Sequence, residues 1–274
     1  MLRKGDLTQG GITGTLLHFT LPMMVGSFLQ QCYNIADTLI VGQCIGAGAL
    51  AAVGSAYTLM VFLISVLLGL AMGSGTVFSL HYGAGNHVAL RRSIFSSFAL
   101  IGIVTLILNV VVFIWLDPIL RLLQVPQDIY GMMRSYLWII FCGIVFTFIY
   151  NFYASLLRAV GDSVTPLWFL AVSVVLNIAL DLFFILQLDW GIQGAAAATV
   201  LAQGVAALGI IIYTYRRRPE LRWHHEDMCF DRTCLKEIAS FSTLTCVQQS
   251  VMNLGILMVQ GLVNSFGTAV MAAF

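Results

Sequence analysis

Gln30-Gln31-Cys32-Tyr33-Asn34-Ile35-Ala36-Asp37 interrupts an apolar run that opens near Leu16 and closes near Val41. Gln30, Tyr33, Asn34 and Asp37 stand at i, i+3, i+4 and i+7, so a helix puts all four on one face. An ionised Asp near the middle of a membrane helix costs about 2.5–3.5 kcal/mol on insertion scales. A chain carries that cost where the carboxylate meets a partner or a wet cavity. The rest of the sequence is therefore read for partners of Asp37.

Composition sets the class. Of 274 residues, 59% are hydrophobic and 9% charged, with mean hydropathy +0.94. A soluble domain carries about 25% charged residues. This chain cannot cover a globule with polar surface, so it reads as an all-α polytopic membrane protein with the lipid bilayer as its surroundings. The net charge of +1, with basic residues confined to loops, gives no footprint for nucleic acid. Six scattered cysteines read as apolar fillers. Arg3 and Lys4 precede an apolar stretch too long for a signal-peptide core, so that stretch is read as a first span without cleavage.

About 20 apolar residues cross a bilayer as a helix. Seven stretches qualify: about 15–41, 51–79, 94–116, 131–155, 166–187, 194–215 and 238–263. With the N-terminus cytoplasmic, eleven basic residues fall inside and two, Arg121 and Arg134, outside. That bias matches the positive-inside rule and supports the span count. The expected organisation is a six-helix lobe over residues 1–215, a cytoplasmic linker over 216–237, and the start of a second lobe over 238–274. Phe19–Val41 aligns without gaps on Phe241–Val263, which fits a second repeat beginning near residue 237. The apolar ending at Phe274 suggests a chain truncated after its seventh helix.

Only Asp37 and Asp181 are acids well inside predicted spans. Asn177 and Asp181 share a face at i, i+4, as do Thr199 and Gln203 in the next span; Tyr136 lies beside Arg134 in the fourth. Carboxylates with an amide carbonyl and a hydroxyl suit a hard cation such as Na⁺, and a close carboxylate pair suits a proton. Each polar residue alone could simply bond a neighbouring helix, but paired intramembrane acids point to function. Pro22, 15 residues before Asp37, could bend the first helix. His224, His225, Cys229 and Cys234 match no standard zinc spacing, and no metal is expected beyond Na⁺ at Asp37, Asn177, Asp181 and Thr199. Gly69, Gly73 and Gly75 recur at close helix-packing intervals.

Leu157-Arg158-Ala159-Val160-Gly161-Asp162-Ser163-Val164-Thr165-Pro166 resembles the Arg-Ala-x-Gly-Asp-x-x-Thr-Pro loop of the multidrug and toxic compound extrusion (MATE) transporters. The order Pro22…Tyr33…Asp37, Gly46…Ala51-Ala52, Asn177…Asp181, Thr199 is similar to that family along the whole chain. The resemblance implies two six-helix lobes around a cleft, of which this chain holds one lobe plus one helix. It implies export of organic cations and drugs in exchange for H⁺ or Na⁺, without a cofactor, by a protein of the plasma membrane that acts as a monomer at full length. It also assigns Asp37, Asn177, Asp181 and Thr199 to a cation site, with Pro22, Tyr33 and Tyr136 as supporting or cavity residues; Gln203 joins these by its spacing from Thr199. The seventh span carries Gln248, Gln249 and Asn253 but no acid, which favours the DinF-like branch. The loop itself reads as a connector, with Ser163 or Thr165 capping the following helix.

Three other readings are weaker. A lipid or polysaccharide flippase of the same architecture calls for a basic central cavity, and the spans hold no central Arg or Lys. An intramembrane aspartyl protease calls for a Gly-x-Gly-Asp context, which neither acid has. A seven-helix receptor conflicts with the cytoplasmic N-terminus.

Overall fold

The computed structural model describes residues 12–223, Asp227 and residues 232–273. Most of the His224–Cys234 stretch and the basic pair Arg3 and Lys4 lie outside the described residues. The described chain is helical from end to end: α1 (Ile12–Cys44), α2 (Ala47–Gly83), α3 (His87–Leu122), α4 (Gln127–Cys142), α5 (Ile144–Ala159), α6 (Val164–Leu182), α7 (Gly191–Arg217), α8 (Arg232–Asn264) and α9 (Thr268–Ala273).

Five of these helices are individually long and apolar enough to cross a membrane: α2, α3, α6 with its final turns, α7, and Cys234–Asn264 of α8. The bent pair α4–α5 makes a sixth span. α1, whose 33 residues give about 50 Å of helix, carries the polar stripe that opened the sequence reading. α1 runs through Pro22 as one helix.

The fourth span departs from the expectation of a single helix over 131–155. It is broken at Gly143, where α4 and α5 meet at 50°. A Cβ on Gly143 would sit 2.5 Å from Val200 Cγ2, so glycine admits α7 at the break. A break orphans backbone carbonyls. The Asn109 amide of α3 donates to Phe141 O at 2.7 Å and satisfies one at this break.

α6 changes winding where it leaves Asp181. Phe183–Gln187 forms a π turn, with Leu188 N donating to Phe183 O at 3.3 Å. Such turns are rare and gather at functional sites. At the other end of α6, Gly161 takes φ +87°, a conformation that favours glycine, and turns the chain from α5 into α6. The cap there corrects the expectation of Ser163 or Thr165. Asp162 Oδ1 accepts from Thr165 N at 3.0 Å, and Oδ2 accepts from Thr165 Oγ1 at 2.9 Å. A carboxylate meets both donors of Thr165, whereas the Ser163 hydroxyl makes no cap bond. Arg218, just past α7, donates to the same Asp162 Oδ2 at 3.3 Å. Burial works against the Arg218 charge, yet Asp162 outweighs it and holds the guanidinium above its ordinary value.

α2 and α7 form the interior of the bundle, and α8 lies along α2. The predicted role of the α2 glycines holds. A Cβ on Gly69 would stand 2.6 Å from Cys246 Cα, and one on Gly73 would stand 2.4 Å from Ser242 Cα. The two backbones touch because no side chain separates them. At the other end of this seam Gln260 donates to Ser55 Oγ at 2.8 Å. Asn264 accepts from Ser55 at 3.0 Å and donates to Leu123 O at 2.9 Å. Leu16, Leu17, Phe28 and Leu39 on α1, and Leu244, Val251 and Met258 on α8, are exposed, as lipid-facing or partner-facing side chains are.

Candidate functional site: a buried carboxyl pair

Three helices deliver the intramembrane polar residues to one point. α1 supplies Tyr33 and Asp37, α6 supplies Asn177 and Asp181, and α7 supplies Thr199. Asp181 is fully buried and Asp37 is 8% exposed. Their side-chain carboxyls are close enough to interact across the α1–α6 interface. Two carboxylates cannot both stay ionised at that separation in low dielectric without a proton or a cation between them. Oδ1 of each acid is buried with no partner among the described residues.

The remaining groups form a chain of hydrogen bonds around the pair. Asn177 satisfies its neighbours when its Nδ2 donates to Asp181 Oδ2 at 2.9 Å. Its Oδ1 then accepts from Thr199 Oγ1 at 3.3 Å and from Thr199 N at 3.2 Å. Thr199 Oγ1 also lies 3.3 Å from the Tyr33 hydroxyl. Tyr136, brought in by α4 and almost completely buried, stands within electrostatic range of Asp37, Tyr33 and Asp181. The i, i+4 spacing of Asn177 and Asp181 explains their shared direction. The close approach of α1 and α7 to α6 was not readable from spacing.

Gln203 lies one turn further along α7 and outside this cluster. Thr147 of α5 donates to its Oε1. Gln203 lines a cavity of about 330 Å³ together with Tyr33, Asn34, Tyr57, Asn151 and apolar side chains such as Leu68 and Val174. Tyr33 therefore has one face on the cavity and its hydroxyl on the cluster, and the acids border the cavity without lining it. Pro22 is remote from the cluster. It is roughly 22 Å from Asp37 along α1 at 1.5 Å per residue, and it lines an adjoining cavity that shares Gln30, Tyr150, Asn151 and Leu170 with the first.

A sequence profile of the family described as MatE matches residues 22–183. The chain is 32% identical over 280 residues to the probable multidrug resistance protein YpnP of Bacillus subtilis (strain 168), covering 100% of this chain and 61% of that one. It is 30% identical over 202 residues to the multidrug export protein MepA of Staphylococcus aureus (strain NCTC 8325 / PS 47), covering 72% of this chain and 44% of that one. A solved structure described as the outward-facing conformation of a multidrug resistance MATE family transporter of the MOP superfamily superposes with TM-score 0.86 at 24% identity, over 93% of this chain and 57% of that one. A structure described as the inward-facing conformation of a transporter of that family gives TM-score 0.80 at 25% identity, over 94% and 59%. The chain thus spans less than two thirds of the length of these relatives.

Proposed function

The chain belongs to the MatE family, and from that premise we propose that it carries the cation-coupled half of a secondary antiporter. The antiporter exports hydrophobic and cationic organic compounds in exchange for H⁺ or Na⁺. The observation that carries the reading is the facing pair Asp37 and Asp181, each with an unpartnered buried oxygen, in a lobe interior that offers them no basic partner among the described residues. Such a pair takes up one monovalent cation as charge compensation.

A close carboxyl pair that shares a single proton favours H⁺ as the coupling ion. Asn177, Thr199 and the two acids would also offer oxygens to Na⁺. Binding of either ion redistributes the hydrogen bonds that Asp37 and Tyr33 make from α1, and Tyr33 transmits the change to the cavity beside it. The cavity, with amides and hydroxyls set among apolar walls, suits an organic cation with an apolar body. The bacterial relatives favour insertion in the plasma membrane, and the distribution of basic residues favours an N-terminus inside.

The test is efflux of a fluorescent organic cation from cells expressing the protein, under an imposed proton or sodium gradient, with Asp37→Asn beside wild type. Gradient-driven efflux that survives the substitution unchanged would overturn the reading.

A further inference from the structure

The cavity that Pro22 lines has a different chemistry from the carboxyl cluster. It measures about 430 Å³ and opens between α1, α5 and the start of α6. Its single charged residue is Arg158, the arginine that opens the Arg-Ala-Val-Gly-Asp turn. Among the described residues no carboxylate and no hydrogen-bond acceptor meets the Arg158 guanidinium. The nearby acid of the turn, Asp162, is committed to Thr165 and Arg218. Gln30 and Ser163, also in the cavity wall, make no hydrogen bond among the described residues. Gln31 uses only its Oε1, which accepts from Asn34, so its amide nitrogen is unspent.

A partly buried guanidinium without a counterion is costly, and the wall around it supplies donors and no negative charge. Among the described residues nothing supplies the balancing charge. We propose that this cavity is an anion site for a phosphate group, held by Arg158 with Gln30 and Ser163. Guanidinium presents a planar fork of donors that fits phosphate oxygens in pairs. The volume far exceeds that of a halide and admits a phosphate together with what it is attached to. The cavity lies at the end of the bundle where Arg218 closes on the α5–α6 turn. Basic pockets between membrane helices at that level take up lipid headgroups or free phosphate from the cytoplasmic side. The site goes beyond the antiport reading and does not depend on it.

The experiment measures binding by titration calorimetry on the purified chain in detergent. The probes are inorganic phosphate, short-chain phosphatidylglycerol and short-chain phosphatidylcholine. Inorganic phosphate or phosphatidylglycerol is expected to bind, with Arg158→Gln weakening it about tenfold or more and Arg158→Lys retaining part of it. Binding of phosphatidylglycerol alone identifies a lipid headgroup as the ligand, and displacement of it by inorganic phosphate identifies the phosphate itself. Gln30→Leu on α1 and Ser163→Ala leave Arg158 and the Asp162 cap in place and are each expected to weaken binding several-fold. They carry the test if Arg158→Gln fails to fold. No binding by wild type, equal binding by Arg158→Gln, unchanged binding in both wall variants, or equal affinity for phosphatidylcholine would each overturn the proposal. Dye efflux is not read in this experiment, so its outcome leaves the carboxyl-pair mechanism standing or falling on its own test.

Discussion

The hydroxyls of Tyr33 and Thr199, 166 positions apart in the chain, lie 3.3 Å from each other and join α1 to α7 beside the carboxyl pair. The same Thr199 oxygen serves Asn177, so one hydroxyl links the helix that carries Asp37 to the helix that carries Asp181. Thr199→Val keeps the shape and removes that link. The expected loss is about 1 kcal/mol of stability, read as a lower thermal midpoint in detergent, with Thr199→Ser close to wild type.

Asp37→Asn and Asp181→Asn each replace a titrating group by a neutral one of the same shape. Both are expected to fold, and each is expected to remove one of the two buried carboxyls from the infrared signature of protonation expected of wild type across a pH titration. Asn177→Leu leaves both acids present but withdraws a donor from Asp181. It is expected to shift that signature along the pH axis without abolishing it.

The α2 glycines give a pair of opposite outcomes. Gly73→Ala brings a Cβ to within 2.4 Å of Ser242 Cα, and the helices have to separate; a loss of about 1–3 kcal/mol is expected. Gly54, on the same helix, has open space where its Cβ would stand. Gly54→Ala is expected to stabilise by about 0.5–1 kcal/mol through helix propensity. Thermal unfolding of the two variants side by side decides whether the seam or the helix dominates.

Asp162 has two separable duties. Asp162→Ala removes the cap of α6 and the anchor of Arg218, with an expected cost of about 1–2 kcal/mol. Asp162→Asn retains an oxygen for Thr165 N and loses the ion pair, so it is expected to recover most of the cap. The comparison is made by denaturant unfolding of both variants.

The spans were legible because burial in lipid demands long apolar runs, and the runs survive almost unchanged from 51–79 into α2 and from 194–215 into α7. The acids were legible for the complementary reason: two carboxylates among so many apolar residues stand out. The break at Gly143 was not legible. Gly143 is pressed by Val200, a residue of another helix, and no local pattern records that contact. The π turn after Asp181 left no mark in Phe183–Gln187, which reads as ordinary helix. The role of Asp162 was misassigned to its neighbours because capping depends on which oxygen reaches Thr165 N, a matter of geometry. Arg158 reads as part of a connector, since a basic residue near a helix end is commonplace until the acid of its turn, Asp162, is found committed to Thr165 and Arg218.

The seam between α2 and α8 carries a mechanical meaning. Backbone contact at Gly69 and Gly73 forbids sliding, and the Ser55–Gln260–Asn264 bonds fix the register at the other end. Two rods pinned at both ends behave as a single beam. Amide exchange along Val66–Gly73 should therefore slow or quicken in step with exchange along Ser242–Leu257.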